Sequence, residues 1–253
     1  MDPFTPKRKS TLSISLTLPN VLRLDEHRVL KKTRPDRGEA GILRFVAAHT
    51  TIPVPRVYDT KLVDRQGREA TSYMVIEYMP GLRLDKAWVK LTESQRVATC
   101  HQLVEYLAQL QPLTSNRIEG LNGAPVHVGC FQSRWGGPFS TETEFNNFMA
   151  KGDNVTPRPT ANHVIHFAHA DLSPRNILVD ETTGEITAIV DWERAGWYPE
   201  YWDVVRMITD CPGRRELPGY AVHLHAALQD LRKKYELEMA AMIHILRLDT
   251  PGP

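Results

Sequence analysis

Two short apolar runs, Ile177-Leu178-Val179 and Ile186-Thr187-Ala188-Ile189-Val190, are parted by the polar stretch from Asp180 to Glu185, which contains Gly184. β-Branched runs either side of a glycine-containing turn predict a β-hairpin. Asn176 directly precedes the first run and Asp191 directly follows the second. Antiparallel pairing therefore returns both to the open end of the hairpin. Asp171 lies in the loop just upstream, in His169-Ala170-Asp171-Leu172-Ser173-Pro174-Arg175-Asn176, close to that same end. Three oxygen-bearing side chains thus converge on one small volume above strands buried by Ile, Leu and Val.

A lone aspartate at a strand end is ordinarily a turn former or a cap. Three such groups brought together by one hairpin suit phosphoryl transfer from a nucleotide, which needs a carboxylate to orient a hydroxyl and oxygen ligands for magnesium. Magnesium takes one or two protein carboxylates and fills its shell with phosphate oxygens and water. Asn176 and Asp191 suffice for that, which leaves Asp171 to accept the proton of an acceptor hydroxyl. His169 is expected to pack and hydrogen-bond beneath the metal-binding loop and to take no part in the chemistry.

The His169–Val179 segment followed by Ile189-Val190-Asp191-Trp192-Glu193 resembles the Brenner motif of the aminoglycoside phosphotransferase family, which shares the protein-kinase-like fold. The continuation Asp191-Trp192-Glu193-Arg194-Ala195-Gly196-Trp197-Tyr198-Pro199-Glu200 looks like the fungal branch of these proteins. The resemblance implies an α+β, two-lobed fold: a small N-lobe with an antiparallel sheet and one main helix, and a larger, mostly helical C-lobe carrying the catalytic-loop hairpin. It implies a tail over residues 1–19, a nucleotide-binding N-lobe over 20–80, and a catalytic and acceptor-binding C-lobe over 81–253. ATP and Mg2+ are the implied cofactors, and a small hydroxylated molecule of aminoglycoside, choline or sugar type the implied acceptor.

Further site residues follow from the resemblance. Val21–Leu24 and Arg28–Lys31 form an alternating hairpin that turns at Asp25-Glu26-His27. Lys31 ends its second strand, where the family places a lysine that holds the α- and β-phosphates; a solvated edge-strand lysine is the other reading. Lys32 must face the opposite side, since side chains alternate along a strand. Glu39 opens an amphipathic segment with Ile42, Leu43, Phe45, Val46 and His49 at helical spacing. The family places an ion-pair partner for the lysine there, although favourable placement at a helix N-terminus would also account for Glu39. The strand Tyr73–Glu77 ends in Tyr78-Met79-Pro80-Gly81, which resembles the hinge between lobes, with the backbone of Glu77 and Met79 at the adenine edge. One feature departs from the family: the turn at residues 25–27 has no glycine.

Later segments read as C-lobe helices. Thr92–Gln95 is a capping box, followed by Val97, Cys100, Leu103, Val104, Leu107 and Leu110 as core. Pro112–Ser140 reads as a long loop. Thr141 caps a helix with Phe145, Phe148 and Met149 inward. Tyr201–Asp210 reads as helix, and Asp203 matches an acidic position resembling the family's anchor for the catalytic loop, or is an ordinary helix-start residue. Residues 220–248 read as one or two closing helices. Glu142, Glu144, Asp153 and Glu200 are the acids available to bind a polycation.

Composition narrows the function classes. The 253 residues carry a formal charge of +1, with 24% charged and 42% hydrophobic residues, so there is no nucleic-acid footprint. Cys100, Cys130 and Cys211 have no paired spacing and read as thiols in a reducing compartment. No apolar run approaches the roughly 20 residues that span a bilayer. Lys7-Arg8-Lys9 sits in a polar tail without the apolar core of a secretory signal. A cytoplasmic monomer without membrane attachment is expected. Ser173 stands where Ser/Thr kinases carry a phosphate-contacting lysine, and no Ala-Pro-Glu segment follows, which argues against a protein kinase. The glycine-poor turn keeps a second hypothesis open, a nucleotide-binding pseudokinase acting as a scaffold.

Overall fold

The computed structural model describes residues 20–34, 38–65, 68–128, 134–150, 162–209 and 217–249. The predicted tail, Cys130, Asp153, Asp210 and Cys211 lie outside the described residues.

The first sheet has four strands, β1 (Val21–Arg23), β2 (Arg28–Thr33), β3 (Val57–Arg65) and β4 (Arg68–Glu77), in the order β1-β2-β4-β3, all antiparallel. Alternation divides its side chains between two faces. Val29, Met74 and Ile76 join the main core, while Leu30, Tyr73 and Val75 form a smaller cluster on the other side. Helix α1 (Glu39–His49) lies against the core face through Ile42, Leu43 and Val46. Its Phe45 reaches across to Phe167 and Trp197, with ring centroids 4.9 and 5.5 Å away, whereas His49 is exposed.

The second half begins with β5 (Leu82–Arg83), α2 (Leu84–Ala87) and α3 (Glu93–Leu110). The capping box is present: the Gln95 amide N–H donates to Thr92 Oγ1 and the Thr92 N–H to Gln95 Oε1. Cys100, Leu103, Leu107 and Leu110 are buried as predicted, but Val97 is exposed. Thr99 takes the inward position instead and donates to the Gly184 carbonyl at 2.8 Å.

The stretch read as a loop from Pro112 to Ser140 contributes four short strands: β6 (Thr114–Ser115), β7 (Glu119–Gly120), β8 (Val126–Val128) and β9 (Arg134–Gly136). β8 and β9 pair with each other. β6 and β7 complete a sheet of order β6-β10-β13-β7 with β10 (Ile165–Ala168) and β13 (Gly196–Pro199). Strands two or three residues long show no periodicity, so they are defined by distant partners. Between these strands come α4 (Glu142–Met149), with Phe145 and Met149 inward, and the predicted hairpin, β11 (Ile177–Val179) with β12 (Ile186–Ile189). The closing region holds α5 (Trp202–Thr209), α6 (Tyr220–Ala227), α7 (Gln229–Lys234) and α8 (Glu236–Asp249), more pieces than its spacing suggested. Among the described residues, no helix is long and apolar enough to cross a membrane.

One apolar cluster runs continuously from α1 and the first sheet through α3 to β11, β12 and α5. Two backbone contacts fasten the hairpin to the chain above it. β5 pairs with β11, Val179 opposite Leu82, and the Ile189 N–H donates to the Pro53 carbonyl at 2.8 Å. Gly81 adopts φ 120°, and a Cβ there would overlap Thr187 Oγ1 and the Val179 carbonyl. Only glycine lets the strand exit pass so close.

Candidate active site

The hairpin delivers its polar groups as its pattern predicts. Ile177 faces Ile189 in register, and the Val190 N–H donates to the Asn176 carbonyl at 2.9 Å, so Asn176 and Asp191 stand side by side at the open end. Asp191 has φ 67° and ψ 53°, a left-handed conformation that aspartate tolerates better than most residues. The chain there turns out of β12 into the short helical turn Trp192–Arg194.

A cleft of about 680 Å³ opens above these groups. Val21, Val29 and Ile76 line it from the first sheet, and Leu178 and Val190 from the hairpin. Glu77, Tyr78 and Met79 also line it, as do the polar Lys31, Lys32, Arg34, Glu39, Asn176, Asp191 and Glu193; Lys32 thus borders the cleft, although strand alternation placed it on the opposite side. A cleft that combines apolar walls with charged groups suits a nucleotide base and its phosphates.

Lys31 joins two chain segments far apart in sequence. Its Nζ donates to Glu39 Oε1 at 2.7 Å and to Asp191 Oδ1 at 2.6 Å. Burial disfavours the ammonium, but the Glu39 and Asp191 carboxylates outweigh it and raise the Lys31 pKa. Burial likewise opposes ionisation of Asp191, yet Lys31 holds its pKa below the ordinary value. Glu39 behaves differently. Its side chain is 1% exposed, and burial pushes its pKa up to about 7 despite Lys31. Glu39 does not act as a cap, because Gly38 holds the N-cap position with φ 62° and no side-chain bond. The turn between β1 and β2 manages without glycine because Asp25 closes it, accepting from the His27 N–H at 2.9 Å and from Arg28 Nε at 2.7 Å.

The loop before the hairpin is fixed from below. Asp203, buried in the first turn of α5, accepts from the His169 N–H and the Ala170 N–H, each at 2.8 Å. Ala170 has φ 62°, a conformation costly for a residue with a Cβ, and the paired bonds hold it there. His169 is fully buried, and burial lowers its pKa. Its Nδ1 lies 3.2 Å from the Asp171 N–H and its Nε2 3.1 Å from the Val190 carbonyl, an arrangement met by the neutral ring protonated at Nε2. The expected supporting role is what the contacts describe.

Asp171 sits apart from the cleft lining. Arg175 Nη2 meets its Oδ1 at 2.7 Å, and Arg194 Nη1 lies 3.3 Å from its Oδ2. Its carbonyl accepts from Asn176 Nδ2 at 2.8 Å, which leaves Oδ1 as the acceptor atom of that amide.

Glu39, Asp191 and Glu193 bring carboxylate oxygens within 4.8 Å of one another, and Glu39 Oε2 is buried without a hydrogen-bond partner. Hard oxygen donors around an unsatisfied carboxylate fit a divalent cation such as magnesium. Glu193 was absent from the predicted ligand set; the signal for it was its place two residues after Asp191 on the turn that follows β12. Arg175 and Arg194 were missed as well, since nothing local reveals that both reach Asp171.

Of the acids available to bind a polycation, Asp153 lies outside the described residues and the other three have local partners. Glu142 is buried against His163, Glu144 accepts from the Ser140 N–H, and Glu200 holds Lys234 and Tyr235. Each is spent on local structure.

The model of a family described as a phosphotransferase enzyme family matches residues 13–134 and 153–237. An aminoglycoside 3'-phosphotransferase from Streptomyces fradiae is 27% identical over 188 residues, 66% of this chain and 61% of the relative. The chain thus spans 61% of the length of that curated relative. Among solved structures, the apo form of a thermostable mutant of aminoglycoside phosphotransferase APH(4)-Ia gives a TM-score of 0.61 at 18% identity, covering 90% of this chain and 84% of that one. A ternary complex of a mutant of the same enzyme with ADP and hygromycin B gives 0.58 at 18% identity, covering 86% and 76%. An aminoglycoside-3'-phosphotransferase of type VIII gives 0.54 at 18%, covering 87% and 84%. These likenesses show the fold, the two-lobed, protein-kinase-like α+β architecture that the sequence predicts.

Proposed function

Because the chain belongs to the phosphotransferase enzyme family, we propose that it moves the γ-phosphate of ATP to a hydroxyl of a small molecule. The observation that carries this reading is Lys31, pinned between Glu39 and Asp191 in a cleft that also has apolar walls. The adenine lies between the two sheets, at the backbone of Glu77 and Met79, and Lys31 steadies the α- and β-phosphates. Asp191 and Asn176 Oδ1, with Glu193 beside them, hold magnesium, which when bound offsets charge on the phosphates. Asp171 orients the acceptor hydroxyl and takes its proton as the new O–P bond forms and ADP leaves. Arg194 and the Asn176 amide hold the Asp171 loop in place.

Acceptors of aminoglycoside, choline and sugar type all present the required hydroxyl. The named relatives are aminoglycoside phosphotransferases, and the Asp191–Glu200 segment favours placement in the fungal branch. A cytoplasmic monomer remains part of this reading, as does an N-lobe ending near residue 80.

The test is magnesium-dependent ATP consumption across a panel of hydroxyl compounds, with nucleotide affinity measured by calorimetry on the same protein. Consumption with at least one acceptor supports the reading, and failure to bind ATP with magnesium ends it. A second reading, a nucleotide-binding scaffold, draws on the occupation of both Asp171 oxygens by arginine. Nucleotide binding with no turnover of any acceptor favours it.

A further inference from the structure

We infer that the acceptor carries an anionic group, a carboxylate or a phosphate, which Arg175 binds beside Asp171, so that this site selects anionic hydroxyl compounds over polycationic ones. This rests on the phosphotransferase reading above.

The two arginines differ in how they are held. Arg194 has a side chain 26% exposed, and its carbonyl accepts from the buried Tyr198 hydroxyl at 3.0 Å, which fixes its backbone under the loop. Arg175 is 53% exposed and projects from the short turn Pro174–Asn176. Arg175 makes the shorter contact with Asp171, 2.7 Å against 3.3 Å for Arg194, but it is the more exposed of the two and so the more easily displaced. It covers the Oδ1 atom that an acceptor hydroxyl would need, while Arg194 stays on Oδ2. An acceptor with its own carboxylate or phosphate gives the Arg175 guanidinium a replacement partner, a charge-assisted and potentially two-pronged contact. Binding would then uncover the base. The Ser173 hydroxyl, in the same loop, is buried without a partner among the described residues and is a further donor for such a group.

The charge balance points the same way. Asp171 contributes one negative charge between two guanidiniums, and an incoming ammonium would meet like charge at contact distance. The acids that could compensate, Glu142, Glu144 and Glu200, are engaged elsewhere. Glu193 belongs to the carboxylate cluster with Glu39 and Asp191.

The experiment uses matched acceptors that differ in charge: glucose 6-phosphate against glucose, gluconate against sorbitol, with choline and hygromycin B as cationic probes. The full chain with magnesium and ATP should favour the anionic member of each pair by at least about tenfold in kcat/KM. Arg175→Ala should bring that ratio toward one, and Arg175→Lys should keep part of it, since a lysine retains charge but not the planar fork. A preference for the cationic probes overturns the inference. So does an Arg175→Ala loss shared equally by every acceptor, or one confined to the KM for ATP, which would assign Arg175 to the nucleotide phosphates. Should no acceptor turn over, inorganic phosphate is titrated into protein loaded with AMP-PNP and magnesium. Binding that Arg175→Ala abolishes supports the inference, and absence of binding overturns it. Loss of AMP-PNP binding itself would instead remove the phosphotransferase reading, and calorimetry sees that separately.

Discussion

Asp191 meets a single ammonium, Lys31, which the buried Glu39 also holds. Asp171 meets two guanidiniums, one of them more than half exposed. The Lys31 group is tied to a carboxylate 1% exposed. The exposed guanidinium must move before a hydroxyl can reach its oxygen of Asp171. In the proposed reaction the first group serves a constant partner, the nucleotide phosphates, and the second a partner that displaces protein contacts. Preorganisation therefore belongs to the donor half of the proposed reaction, and selectivity to the acceptor half.

The largest effect should come from splitting the two aspartates. Asp171→Asn should lower kcat by about 10²–10⁴-fold while leaving nucleotide affinity near its parent value, as loss of a general base does. Asp191→Asn should lower turnover at least as far and also abolish the magnesium dependence of nucleotide binding. Steady-state kinetics with calorimetry checks both, and equal losses of affinity in the two variants would erase the contrast drawn here.

Next in size is the support beneath the rim. Asp203→Ala leaves the His169 and Ala170 N–H groups buried without acceptors, and each unsatisfied donor costs roughly 1–3 kcal/mol. Urea unfolding should show a loss of about 2–5 kcal/mol, and the Lys31–Asp191 pair should survive in any variant that still folds. A change under 1 kcal/mol would mean that the loop is held by something other than this carboxylate.

The smallest effect concerns a histidine remote from both aspartates. His163 lies between the buried Glu142 and Glu238, near Glu200 and the rings of Tyr201 and Tyr235. The hydrogen bond to Glu142 is the main cause of its raised pKa and outweighs burial. A histidine whose folded pKa is raised contributes stability that is fully present below its unfolded value of 6.5 and lost as pH rises through the folded one. The melting temperature should fall across that window in the parent and stay flatter in His163→Gln, by about 1 kcal/mol of stability. His169, buried and with a lowered pKa, has the opposite sign: its contribution is present above 6.5 and lost as pH falls.

Which parts were legible in the chain follows from range. The hairpin at residues 177–190, the capping box at Thr92 and α1 are written in neighbouring residues, and they appear where the pattern puts them. Asp191 was read from the hairpin, and Lys31 and Glu39 from a resemblance; their meeting in one ion-pair chain is a tertiary fact that no window of sequence contains. Arg194 escaped notice because its partner Asp171 lies on another segment, and Glu193 was missed although it stands two residues after Asp191. Val97 was placed in the core by spacing alone, although the hairpin turn at Gly184 packs closer to Thr99. The strands between Pro112 and Ser140 are too short to carry an alternation signal.

β11 is laced on one side to β12 and on the other to β5. A strand stitched along both margins cannot slip lengthwise without tearing two seams together. The spacing between the Asn176 carboxamide and Asp191 is thus set by main chain, not by the side chains themselves. Trimming either should silence its own proposed task and leave the other in place, so that the proposed activity would fail piecemeal.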